Sequence, residues 1–316
     1  MVVTAARMRY QSGHSADEVA SYLQVSRSTV SRLLSFARES GIVEIRVRDD
    51  AGSSSGLEQE LRDVFPGVTF HVVEVPMTAT AGWRLAAVVR YAAPIIVDLV
   101  GPGTTIGLAW GNTVNGIIDH LPRRPVRDVS VVQLNGAGNG GGFGIAYASE
   151  IVTRFAGAFS AMHSLFPVPA FFDYPETKAA LWRERSIRQI LDLQSQADLL
   201  LFSTGALVGD VISHVYSDGY LSDHEADNLR AQGVVGDIGT VFFKSDGGSD
   251  LPINLRSSGP PLDLYVNASR AVCVASGNGK IPGMAAALGG GFMTDLITDE
   301  LTACELLHNI YVEGNR

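Results

Sequence analysis

The stretch Ser15–Ile45, SADEVASYLQVSRSTVSRLLSFARESGIVEI, decides how the amino end of this chain folds. Ser15, followed three residues later by Glu18, has the spacing of a capping box and opens a short helix that runs through Leu23. Gln24-Val25 fits a tight turn. Ser26 then caps a second helix in which Val30, Leu33, Leu34 and Ala37 recur at i, i+3, i+4 and i+7. One face of that helix is therefore expected in a core. The other presents Arg27, Ser28, Ser31 and Arg32, with Thr29 near its start, a donor-rich and nearly acid-free surface suited to a major groove and its phosphates. A small helical pair with a solvated arginine face is the plainer alternative. The order of capped helix, small Ala20, two-residue turn and arginine-serine string favours a DNA-reading helix-turn-helix.

Charge points the same way. Residues 1–48 hold seven arginines against four acids, inside a 316-residue chain of formal net charge -9. A locally basic end on an acidic body fits a small DNA-contacting module joined to a larger part that does not touch DNA. Length predicts two domains, and 46% hydrophobic residues suffice for a sizeable core. No run of eighteen apolar residues occurs and the start lacks a basic-then-apolar order, so a cytoplasmic protein with no membrane association is expected. Cys273 and Cys304 lie in apolar runs and are too few for a disulfide framework, and the seven histidines lack metal spacing. Neither a metal nor a cofactor is expected.

Around this module, residues 3–12 are expected to form a first helix anchored by Met8 and Tyr10, and Ile42–Val47 alternates like a strand, as the wing of a winged helix would. Residues 49–56, DDAGSSSG, have linker composition, placing a DNA-binding domain at 1–50 and a second domain at 57–316. Residues 57–65 read as a linking helix. Beyond it strands alternate with helices, which predicts a parallel or mixed sheet covered on both faces. The expected strands are 69–75, 105–109, 129–134, 158–164, 198–203, 237–243, 271–276 and 293–297. The expected helices are 80–100, 112–121, 145–156, 223–232, 280–289 and 299–311.

In such sheets ligands bind beyond the carboxyl ends of the strands. Trp110-Gly111-Asn112-Thr113 opens a helix and offers amides and a hydroxyl to an anion, or is an ordinary capped glycine turn. The run Gln133–Gly142, with Asn135 and Gly136 leading it, lets backbone come very near a ligand. Its GxGxxG-like spelling is no dinucleotide fingerprint, because more glycine follows where a helix should. No lysine stands beside that loop, which excludes capture of a carbonyl as a Schiff base there. Lys280 stands in Gly277-Asn278-Gly279-Lys280 at a helix start, as an anion partner or a solvated side chain. Ser203-Thr204-Gly205, Asp218-Gly219 and Gly236-Asp237 are hydroxyl partners or turns, and Arg256 is a further anion candidate. HExxH, GxSxG and the phosphate-loop motif are absent, and no catalytic constellation is recognisable among Asp98, Asp210, Asp218 and Asp237.

These residues resemble the SorC family of bacterial sugar-sensing transcriptional regulators. The resemblance spans essentially the whole chain: VSRSTVSRLLSFARESGIVEI, IGLAWGNTV, VVQLNG, DGYLSDHEADNLRAQGVVGDIGTVFF, SGNGK, AALGGG and LITDELTA, in that order. It implies a helix-turn-helix joined to a Rossmann-like α/β domain similar to sugar-phosphate isomerases, working as a homodimer or homotetramer without catalysis. It implies double-stranded operator DNA as one partner and a sugar, polyol or, foremost, a phosphorylated sugar as the effector. By position, phosphate falls near Gly111, Asn112, Thr113 and Lys280 and sugar hydroxyls near Gln133, Asn135 and Arg256, with Gly136 a further effector-binding residue. Asn112, the LFSTG turn and the AALGGG segment depart from the family pattern, the last by losing a positive charge, so unphosphorylated ligands stay open. An isomerase carrying a DNA-binding extension is the alternative function.

Overall fold

The computed structural model describes residues 1–11, 14–39, 42–43, 53–138, 143–207, 213–217 and 219–313. The chain divides into two compact units, Met1–Ala51 and Gly52–Arg316. In the first, helix α1 (Val2–Ala6) runs on into a wider helical turn over Arg7–Gln11, followed by α2 (Ala16–Leu23) and α3 (Arg27–Glu39). Both halves of the capping box form: the Glu18 amide donates to Ser15 Oγ at 3.2 Å, and the Ser15 amide to Glu18 Oε2 at 2.7 Å. Gln24 ends α2 in the left-handed region, at φ 54° and ψ 40°, which turns the chain sharply into α3. Ala5, Val19, Ala20, Val30 and Leu34 form a core of their own, with Met8, Leu23, Val25 and Leu33 packed around it. Tyr10, expected as an anchor, is exposed instead. Of the expected strand from Ile42, the first two residues are irregular and the rest lie outside the described residues. The expected linker fares likewise. Its first four residues lie outside the described ones, while Ser53–Gly56 form the first turn of helix α4 (Ser53–Val64), whose Leu61 is fully buried.

The second unit carries strands β1 (Thr69–Val73), β2 (Thr105–Leu108), β3 (Ser130–Gln133), β4 (Met162–Ser164), β5 (Leu199–Phe202), β6 (Thr204–Gly205), β7 (Val234–Ile238), β8 (Val241–Lys244), β9 (Arg270–Val274) and β10 (Asp295–Asp299). Its further helices are α5 (Ala81–Leu99), α6 (Asn112–Ile118), α7 (Phe143–Phe159), α8 (Pro175–Leu181), α9 (Arg185–Ser195), α10 (His214–Ser217), α11 (Asp223–Ala231), α12 (Asp263–Val266), α13 (Ile281–Gly289) and α14 (Glu300–Glu313). Seven strands form one sheet in the order β1-β10-β9-β5-β2-β3-β4, parallel throughout. All four residues of β5 are buried, as both-sided cover demands. Ile96, Val114 and Phe155 from α5, α6 and α7 cover Ile106, Val131, Leu201 and Val272 on one face. Leu61, Met284 and Leu306 from α4, α13 and α14 cover Phe70, Leu200, Cys273 and Leu296 on the other. Cys304, although it lies in an apolar run, is exposed on α14. No helix among the described residues is long and apolar enough to cross a membrane.

The chain leaves β2 for β3 and β4 on one side, and then places β5 and β9 on the other. The topological switch therefore lies between β2 and β5, where open parallel sheets leave a crevice beyond their carboxyl ends. The single strand expected over 237–243 is instead the hairpin β7–β8, paired with β6 in a small antiparallel sheet. Ile238 pairs with Val241 across a two-residue turn in which Gly239 and Thr240 have φ of 53° and 72°. Two positive φ angles match the twist of a tight hairpin. For β-branched Thr240 the conformation is strained.

Candidate functional site

A cleft of about 630 Å³, counting its open mouth, lies at the switch point. Its walls are the ends of four parallel strands and the hairpin turn: Gly111–Thr113 after β2, Asn135 after β3, Ser203–Gly205 after β5, Lys280 after β9, and Asp237 and Thr240 from the small sheet. Thr113 begins α6 and is buried, and its hydroxyl accepts from Lys280 Nζ at 3.2 Å. Ser203 Oγ accepts from the same ammonium at 2.7 Å. The Asn135 carbonyl is held from two sides, by Gln133 Nε2 at 2.7 Å and Trp110 Nε1 at 3.1 Å. Its Oδ1, and the hydroxyl of Thr204, are buried without a hydrogen-bond partner among the described residues. Buried acceptors are rarely left so, and both residues line the cleft.

Two ionisable groups set the electrostatics. Burial pushes the Lys280 pKa down to about 8, opposed by the nearby Cys273 and Asp237. Burial pushes Asp237 up to about 6, opposed by the Thr240 amide, the Tyr216 phenol and Lys280. The Thr240 amide donates to Asp237 Oδ2 at 3.2 Å. Among the described residues, the cleft thus holds one cation, one carboxylate whose pKa is raised to about 6, and several hydroxyl-type partners. Such a set is chemically suited to a ligand rich in hydroxyls that carries an anionic group.

Five of the eight effector residues expected from the sequence line this cleft: Gly111, Asn112, Thr113, Asn135 and Lys280. Three do not. Gln133 is buried, with its amide spent on the Asn135 carbonyl and the Phe166 amide, so it shapes the loop from beneath. Gly136 lies under the loop, where a β-carbon would meet the carbonyls of Val168 and Pro169 at 2.5 Å. Arg256 stands elsewhere, ion-paired to Glu225 and donating to the Phe172 carbonyl. Its partner Glu225 belongs to the capping box of α11, which fixes the arginine away from the cleft. Conversely, Ser203, Thr204 and Asp237, which the sequence left as hydroxyl partners or turns, stand in the cleft. Gln194 of α9 had no signal at all. Its amide donates to the carbonyls of Gln133 and Leu134 at 2.8 and 3.1 Å, clamping the end of β3. Among the four candidate carboxylates, Asp98 is exposed on α5, and Asp210 and Asp218 lie outside the described residues. No group of metal-ligating side chains occurs among the described residues.

The α3 face is built as its spacing predicts. Val30, Leu34 and Ala37 are buried, while Arg27, Ser28, Ser31 and Arg32 are exposed and Thr29 is half-buried. Ser26 caps the helix by accepting from the Thr29 amide at 3.2 Å, and its hydroxyl bonds those of Ser28 and Thr29 at 2.8 Å each. Arg27 lies 3.6 Å from Asp17 in an open ion pair. Exposed pairs of that kind are weak and yield readily to a phosphate.

Residues 49–308 match the family model described as "putative sugar-binding domain". The chain is 33% identical over 315 residues to the deoxyribonucleoside regulator of Bacillus subtilis (strain 168), spanning 98% of this chain and 97% of that protein. It is 27% identical to the sorbitol operon regulator of Klebsiella pneumoniae, with 97% of each covered. A solved domain of a "possible sugar-binding transcriptional regulator" from Arthrobacter aurescens TC1 superposes with a TM-score of 0.77 at 44% identity, over 83% of this chain and all of that domain. The full-length sorbitol operon regulator SorC of Klebsiella pneumoniae superposes with a TM-score of 0.80 at 26% identity, over 97% of both chains.

Proposed function

This chain belongs to the SorC-type family of sugar-binding transcriptional regulators, and from that premise we propose that it is a DNA-binding regulator whose operator affinity is set by a ligand held between Lys280, Thr113, Asn135 and Asp237. The effector class is a sugar or polyol, foremost one bearing a phosphate. One observation carries this reading: the Lys280 ammonium is aimed across the cleft by two hydroxyls, near buried acceptors with no partner of their own among the described residues. Lys280 and Thr113 hold the anionic end. Asn135, Thr204 and Asp237 accept from ligand hydroxyls. Asn112 rims the mouth.

The DNA end works through α3. Arg27 and Arg32 contact phosphates or guanine edges, and Ser28, Thr29 and Ser31 supply hydroxyls, on two half-sites read by a homodimer or homotetramer in the cytoplasm. The effector changes operator affinity only if it binds two states of the oligomer unequally. No catalysis is assigned, because the relatives that the chain matches over nearly its whole length are named as regulators.

The test is a thermal-shift screen of the full chain against sugars, polyols and their phosphates. A ligand at about a hundred times its dissociation constant adds roughly 2.7 kcal/mol of stability. Stabilisation by phosphorylated compounds alone supports the Lys280–Thr113 assignment. Stabilisation by unphosphorylated compounds alone overturns it and leaves the sugar-binding reading in place.

A further inference from the structure

Lys280 lines the cleft, and the whole of Gly277–Lys280 lines a second cavity together with Thr80, Arg84 and Ser276. A segment bordering open space along its length is not fixed by packing alone. What fixes it is a chain of hydrogen bonds from α5 and the start of α14. Arg84 is buried, donating from Nε to Asp299 Oδ1 at 2.8 Å, from one terminal nitrogen to Thr302 Oγ1 at 2.5 Å and from the other to Asn278 Oδ1 at 3.3 Å. Asp299, fully buried, also accepts from Ser276 Oγ at 2.7 Å, Thr302 Oγ1 at 2.6 Å and the Thr302 amide at 3.0 Å. The Thr302 hydroxyl in turn accepts from the Gly277 amide at 3.0 Å. Three consecutive residues, Ser276, Gly277 and Asn278, are thereby tied to one buried arginine-carboxylate pair. The Lys280 amide closes the turn onto the Gly277 carbonyl at 3.1 Å.

We propose that Arg84, acting through Asp299 and Thr302, is the positioning residue that holds the Lys280 loop forward against the cleft. Its value to effector binding rests on the ligand role given to Lys280 above. The mechanism itself does not. A guanidinium fork bonding three partners is geometrically exacting, and lysine cannot reproduce it. With the fork gone, the loop relaxes into the second cavity that it lines. The Lys280 ammonium then leaves Thr113 and Ser203 for water.

The chain has only three lysines, Lys178, Lys244 and Lys280, so each is readable separately. The experiment is competitive acetylation of the full chain across pH 6 to 10, followed lysine by lysine by mass spectrometry, for the native protein, Arg84→Lys and Asn278→Ala. Arg84→Lys is expected to move the Lys280 midpoint from about 8 toward the ordinary lysine value, with Lys178 and Lys244 unmoved. Asn278→Ala, which keeps the buried pair and removes one tie, should give a smaller shift in the same direction. It carries the test alone should Arg84→Lys not fold. An unmoved Lys280 profile in a folded variant, or an equal shift of all three lysines, overturns the proposal. In parallel, inorganic phosphate is added to the native protein. Failure of phosphate to slow Lys280 acetylation removes the anion role of Lys280, while a shifted profile in the variants still upholds the positioning role.

Discussion

A β-carbon placed on Gly205 would stand 1.8 Å from Oδ1 of Asp237 and 2.7 Å from its Cγ. The two residues are register partners in the pairing of β6 with β7, and the carboxylate lies directly over the glycine. Gly205 is thus the floor on which Asp237 rests in the cleft. Gly205→Ala is expected to displace the carboxylate, cost about 1–3 kcal/mol of stability as overpacking does, and abolish the effector-induced thermal shift. Urea unfolding with and without the ligand found in the screen checks both effects.

Asp237 makes stability depend on pH in a definite direction. Its folded pKa, about 6, lies above the ordinary 3.8, so between those values the folded state binds more proton than the unfolded one. The contribution of the group is complete below about 3.8 and is lost as pH rises through about 6. Relative to Asp237→Asn, the native protein should lose roughly 3 kcal/mol between about pH 4 and pH 7. Urea unfolding of both proteins at each pH gives that difference directly, and a constant gap would contradict it.

Lys280 carries the opposite liability. Its depressed pKa means that the buried ammonium opposes folding at neutral pH, an opposition that fades as pH rises through about 8 toward the ordinary 10.5. Lys280→Met should therefore raise stability at about pH 7 by up to about 3 kcal/mol while removing the response to a phosphorylated effector. A variant that is both less stable and fully responsive would contradict this.

Arg27→Ala with Arg32→Ala should weaken operator binding and make it less salt-dependent, reducing the slope of log K against log salt by about one for each phosphate no longer neutralised. Both side chains are exposed, so the thermal midpoint should stay in place. Gel-shift titrations at several salt concentrations measure the slope.

Arg256→Ala should leave the effector response intact, since the side chain is engaged with Glu225 and the Phe172 carbonyl away from the cleft. A vanished response in a folded Arg256→Ala protein would return the arginine to the ligand.

What was legible in the sequence follows from how local the cause is. The Ser15–Glu18 capping box and the spacing of Val30, Leu34 and Ala37 depend on residues within one or two turns, and they form as read. Most strands of the parallel sheet are short apolar runs between turns and were equally plain; β4 was not, since the expected strand 158–164 is the end of α7 followed by a largely exposed Met162–Ser164. Thr240 was not, because a β-branched residue at positive φ contradicts its own propensity and is held there by the Asp237 carboxylate and Ser257. Arg256 was misplaced because its partner Glu225 is thirty-one positions away. Gln194 and Arg84 act on strand ends and loops 60 and more than 190 residues distant, and no periodicity records such a pairing.

Among the described residues, the hydrophobic cluster of Ala5, Val19, Ala20, Val30 and Leu34 draws every buried member from the first 34 residues. On the proposed assignment, substitutions on the exposed face of α3 that retune the operator leave untouched the cleft residues of the second unit. On the same proposal, a change of ligand at Asn135, Thr204 or Asp237 leaves the operator vocabulary as it was. Either half of such a switch can be rewritten by substitution while the other is conserved.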